Sequence, residues 1–136
     1  MSNRQPIQIN QNIAKYVSYN HPDVFQEAEQ RLKSVPCTAE LVERVVNLSY
    51  LRSEEQWRVR LIATTAVLLL CSPESILADI KIKNGVNKLL SDALGVTGQA
   101  ISGKIDQCRF YYSKHTWVKD TVNEILEEVR DGEVNR

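Results

Sequence analysis

The segment Asn87 to Tyr112, NKLLSDALGVTGQAISGKIDQCRFYY, decides the reading of the fold, because its apolar spacing changes phase at Gly95. Leu89, Leu90 and Leu94 mark one helix; Ile101, Ile105, Cys108 and Tyr112 mark a second at i, i+4, i+7 and i+11. A single continuous helix cannot carry both stripes, so a tight turn must separate them. Gly95 supplies the left-handed conformation such a turn needs, Val96 plugs the angle between the helices, and Thr97 caps the second one. The segment therefore predicts two helices at an angle, the second running on from Thr97.

Outward from it, the chain reads as all-α. A first helix is expected from about Pro22 to Leu32, with Pro in its first turn and Val24, Phe25, Ala28 and Leu32 at helical spacing. Lys33 to Pro36 breaks that pattern, and Thr38 caps a helix striped by Leu41, Val45, Val46 and Leu48. Ser53-Glu54-Glu55-Gln56 has the form of a capping box opening a helix from Glu54 to Cys71. Within it, LIATTAVLLLC (61–71) falls well short of the ~20 residues a membrane span needs, so it is expected to be a core helix and no membrane partner is expected. Ser72-Pro73-Glu74 stops that helix and starts a short one through Leu77. ADIKIK (78–83) alternates like a strand but has no partner strand, and is read as a connector. Thr116 to Arg130 is an amphipathic final helix striped by Val118, Val122, Ile125, Leu126 and Val129. The expected architecture is a compact bundle of about six helices in a single helical domain over 1–136. An irregular arm over 1–12 and a frayed tail over 131–136 flank it.

Composition excludes disorder, with 43% hydrophobic and 25% charged residues. No secretory signal is read at the N-terminus, and Cys37, Cys71 and Cys108 sit in apolar helical contexts that suit reduced thiols, so the cytoplasm is the expected location. The formal net charge is zero, but residues 81–119 carry seven Lys or Arg against two Asp. A solvated basic face accounts for this, as does a footprint for phosphate.

The LGVT turn followed by QAIS resembles the helix-turn-helix superfamily of DNA-binding proteins, of the bacterial and phage regulator type, over residues 87–112. The resemblance implies that Gly95, Val96 and Ile101 hold the angle. It further implies that Thr97, Gly98, Gln99, Ser102, Gly103 and Asp106 face the major groove of double-stranded DNA. Gln99 would read adenine through one donor and one acceptor, and Ser102 a base edge or phosphate. Lys88, Lys104 and Arg109 would hold the backbone, extended by Lys81 and Lys83. A regulator in the cell or in a mobile element is implied, with the last helix available for a homodimer as well as for packing. Gly98 and Gly103 offer no side chain for readout and Asp106 turns negative charge towards phosphate. A helical interaction or assembly module of the same shape, binding protein through Phe110, Tyr111, Trp117 and the last helix, is the alternative. No metal, cofactor or catalytic pattern is read: His21 and His115 stand apart from any cysteine or carboxylate partner and suit surface or cap positions, so the expectation is not an enzyme.

Overall fold

Every residue from Leu61 to Cys71 is buried, so the longest apolar run of the chain is a helix surrounded by other helices. The computed structural model describes residues 7–134, and among them there are nine α-helices and no strand. They are α1 (Ile7–Asn20), α2 (Pro22–Arg31), α3 (Ala39–Tyr50), α4 (Gln56–Cys71), α5 (Pro73–Leu77), α6 (Val86–Leu94), α7 (Gly98–Ser102), α8 (Ile105–Lys114) and α9 (Thr116–Val134). The expected single domain divides after Lys33, at the break in apolar periodicity, into two compact units, 1–33 and 34–136.

The first unit is a pair of helices, α1 and α2, packed on each other. Pro22 opens α2 as expected, yet Val24 and Leu32 are exposed and no side chain described in this unit is fully buried. The irregular arm expected over 1–12 is helical from Ile7; residues 1–6 lie outside the described part. Ile13, Tyr16 and Val17 stand at i, i+3 and i+4, a short helical signal inside a polar stretch.

The second unit is built round α4, which packs on α3, α5, α6, α8 and α9. Thr38 caps α3 as its sequence predicts, accepting from the Leu41 amide at 3.1 Å. The capping box at Ser53 does not form. The Ser53 hydroxyl accepts from Glu55 N at 3.2 Å, and α4 begins at Gln56 with Glu55 as an N-cap that makes no side-chain cap bond. The Glu55 carboxylate is taken instead by Trp57 Nε1, which donates to it at 2.6 Å, and by Arg58 at 3.7 Å. Further along, the buried Thr65 hydroxyl donates to the Leu61 carbonyl at 2.7 Å, which satisfies it inside its own helix.

Beyond α4, the buried Ser72 hydroxyl accepts from Lys83 N at 3.0 Å and pins the far end of the connector that leads to α6. The apolar stripe of α9, expected to be available to a second copy as well as to the core, is buried in this unit against α3, α4 and α8. Arg52 binds α3 to α9 by ion pairs to Glu128 at 2.6 Å and Glu124 at 3.7 Å, and donates to the Leu48 carbonyl. The tail expected to fray from residue 131 continues as helix to Val134. No helix among the described residues is long and apolar enough to cross a membrane.

The three cysteines are free, and Cys37 and Cys71 line the same surface recess. Burial pushes all three thiols above their ordinary value of 9.0, most strongly Cys71, where the Cys37 thiol adds to the effect of burial. A raised acid favours the neutral form in the folded chain. The stability it contributes is therefore whole below the unfolded thiol value and is lost as pH climbs from there towards the folded value.

Two outcomes are expected. Leu68→Ala, at a side chain with no exposed surface, lowers the unfolding free energy by about 2–5 kcal/mol in a urea titration. Between pH 8 and pH 10, roughly spanning the free thiol range, stability falls in the parent, and the fall is shallower in Cys71→Ala at matched denaturant.

Candidate nucleic-acid interface

The corner between α6 and α7 is formed by three residues. Gly95 sits in the left-handed region at φ 68°, and its amide donates back to the Ser91 carbonyl, closing α6. Val96 N follows it onto the same carbonyl at 3.1 Å. Thr97 is extended and its hydroxyl accepts from Ala100 N at 3.1 Å, starting the next helix. Ile101 is buried and Val96 half-buried, so both anchor the corner in the core.

The second helix departs from expectation after one and a half turns. In place of one helix from Thr97 to Tyr112, α7 ends at Ser102 and α8 begins at Ile105. Lys104 N bonds to the Ile101 carbonyl, a tightened i to i−3 link, and Lys104 leaves helical geometry at φ −108°, ψ 3°. Gly103 makes this break inexpensive, since glycine contributes little to holding a helix together. Ile101, Cys108 and Tyr112 remain buried on either side of it, so the apolar stripe persists although the backbone does not.

A residue absent from the sequence-based site, Asn87, ties the corner shut. Its Nδ2 donates to the Gly98 carbonyl at 3.2 Å and to the Ser102 hydroxyl at 2.8 Å. A Cβ on Gly98 would lie 3.1 Å from Asn87 Oδ1, so a larger residue there would press on the Asn87 side chain. The nearest sequence signal is the juxtaposition of an amide at the start of α6 with a small residue at the start of α7.

Of the residues expected at the interface, Lys88, Thr97, Gln99, Ser102 and Lys104 are exposed. Lys88 faces Asp92 at 3.7 Å within its own helix, an exposed pair that holds it weakly. Ser102 is exposed but shares its hydroxyl with Asn87. Arg109 has a different task from the expected phosphate contact. Its guanidinium donates to Asp106 at 2.9 Å and to the Ser75 carbonyl at 2.8 Å, and lies 3.0 Å from Asp79. It thus braces α8 against the end of α5, with Asp79 held in the left-handed region at φ 51° to reach it. The same contacts answer the expected placing of Asp106 in the groove, since its charge is matched by Arg109. Of the two flanking lysines, Lys83 is turned to Glu74 at 3.9 Å and to the Ser34 hydroxyl at 2.5 Å, while Lys81 is exposed.

No family model, curated protein or solved structure matches the chain.

On the far side of α8, Phe110 is 60% exposed and meets Tyr111 edge to face at 5.6 Å. Tyr111 stacks in turn on His115, whose Nδ1 accepts from Val118 N at 3.4 Å and caps α9. The half-buried Trp117 and the more exposed Trp57 both receive the Arg58 guanidinium, at 5.1 and 5.3 Å from their ring centres. Among the described residues, no three His, Cys, Asp or Glu side chains converge as a metal site.

The corner makes a direct prediction. Nothing lies within 4 Å of a Cβ at Gly95, so substitution there is opposed by the backbone alone. Gly95→Ala is expected to cost about 1–2 kcal/mol in chemical denaturation, and Gly95→Asn distinctly less, because asparagine tolerates the left-handed region. Equal losses in the two variants would mean that the turn is not held in that conformation.

Proposed function

We propose that the chain is a DNA-binding protein of regulatory or architectural type, in which the α6–α7 corner acts as a helix-turn-helix laid against the major groove. The observation that carries the reading is the exposed polar set fixed round that corner. Thr97 and Gln99 stand at the start of α7, with Lys104 just beyond it and Lys88 beside the Asn87 that binds Ser102. In this reading Gln99 is the base reader, through the paired donor and acceptor of its amide. Lys104 and Lys88 contact phosphate, and Lys81 is the cation of the connector free to extend that contact. Arg109 has no part in it, because its guanidinium is already committed. With few phosphate contacts, affinity is expected to be modest and to depend on salt.

The experiment is an anisotropy titration of random duplex DNA over a range of salt concentrations. Binding that weakens steeply with salt is expected, with the slope reduced by about one in Lys104→Ala. Gln99→Ala is expected to leave that slope intact and to flatten preferences among selected sequences. Weak binding that ignores salt and both substitutions overturns the proposal.

A second reading, a helical module that binds protein, is favoured by the exposed Phe110 and Trp57 and by Tyr16, Tyr19 and Val24 in the first unit. Isolated exposed apolar residues are ordinary on protein surfaces, which is why this reading stands second.

A further inference from the structure

A cavity of about 320 Å³ opens behind the corner, lined among others by Trp57, Arg60, Val96, Ile101, Lys104 and Gln107. That size lies at the lower end of the range of small-molecule sites. Its walls are mainly apolar, contributed by α4, the end of α6, Val96 of the turn, α7 and the start of α8. Two of its lining residues are cations and none is a carboxylate. Among the described residues neither Arg60 nor Lys104 has an ion-pair partner, whereas Arg52, Arg58 and Arg109 in the same unit all do. The Arg60 Nε is buried without a hydrogen-bond partner, as are those of Arg52 and Arg109, so what sets Arg60 apart is the missing ion pair. A guanidinium and an ammonium on the wall of one apolar cavity, neither matched by a carboxylate, offer charge-assisted donors to an anion of fitting size.

We propose that this cavity is a binding site for a small monocarboxylate with an apolar body, the carboxylate meeting Arg60 and Lys104 and the body lying against Val96, Ile101 and Trp57. At the roughly 30 Å³ that a water molecule occupies in the liquid, the cavity holds about ten non-hydrogen atoms, the size of octanoate or 3-phenylpropionate. A dicarboxylate with its charges at opposite ends would have to bury one of them against apolar walls, and a neutral molecule would leave both cations unmatched. Lys104 is shared with the proposed phosphate contact, whereas Arg60 and the apolar walls are not, so ligand binding is measured with no nucleic acid present and its outcome is separate from that of the DNA titration.

The test uses the full chain carrying Trp117→Phe, so that Trp57 is the remaining tryptophan and reports on the cavity mouth. Octanoate, 3-phenylpropionate and the neutral octanamide are titrated in turn, and amide chemical shifts are followed in parallel. At least one of the two acids is expected to bind saturably, with the largest shifts at Val96, Ala100 and Ile101. Octanamide is expected to bind at least about tenfold more weakly, the scale of a charge-assisted hydrogen bond. Arg60→Gln is expected to reduce the preference for acid over amide. Ala100→Leu, which fills the cavity without removing a charge, is expected to abolish binding of both. The comparison of acid with amide on the parent chain stands even if a variant fails to fold. Acid and amide binding equally, non-saturable titrations for both acids, or shifts centred outside the cavity would each overturn the proposal.

Discussion

The structure of residues 34–134 depends on one constraint, that the apolar run from Leu61 to Cys71 has no face it can leave to water. An amphipathic helix needs a single neighbour; a helix that is hydrophobic all round must be enclosed. This is why α3, α5, α6, α8 and α9 all make contact with α4. Burying a leucine or isoleucine is worth roughly 1.5–3 kcal/mol, so a run of this length outweighs the local preferences of the short helices around it. The brevity of α5 and α7 follows, since each is held by its contact with the core and not by helix propensity.

The polar groups at the periphery then serve geometry more than charge. Arg52 and Arg109 each join separate helices, Asn87 joins α6 to α7, and the Ser72 hydroxyl holds the connector. Three of the seven positive charges between Lys81 and Lys119 lie against carboxylates of the chain, at Lys83, Lys88 and Arg109. A count of lysines and arginines along a sequence cannot see this, because it omits the partners that folding brings alongside.

What could be read in the sequence was whatever depends on near neighbours. The caps at Thr38 and Thr97, the left-handed Gly95 and the burial of Leu61–Cys71 are of that kind, and each is present. The displaced start of α4 shows the limit: Ser53 and Gln56 have the right spacing, but the Ser53 hydroxyl accepts from the Glu55 amide and the Gln56 side chain donates to the Tyr50 hydroxyl. The break at Gly103 and Lys104 escaped for another reason. Apolar periodicity records which residues face the core, and Ile101, Cys108 and Tyr112 do so on both sides of the break. At the candidate site, exposure of Gln99 and Lys104 was legible, whereas the commitment of Arg109 to Ser75, 34 residues away, was not.

The interruption between α7 and α8 has a mechanical consequence. Had the helix continued, Gln99 would be carried on a rod rooted in Cys108 and Tyr112, and any change in its angle would have to turn that rod within the core. With the break, α7 is a separate segment of five residues, anchored inward by Ile101 and latched to α6 by Asn87. Its angle is set by those two attachments, while the direction of α8 is set separately by the Arg109 clamp. The surface that carries Gln99 is therefore oriented from α6 and not from α8.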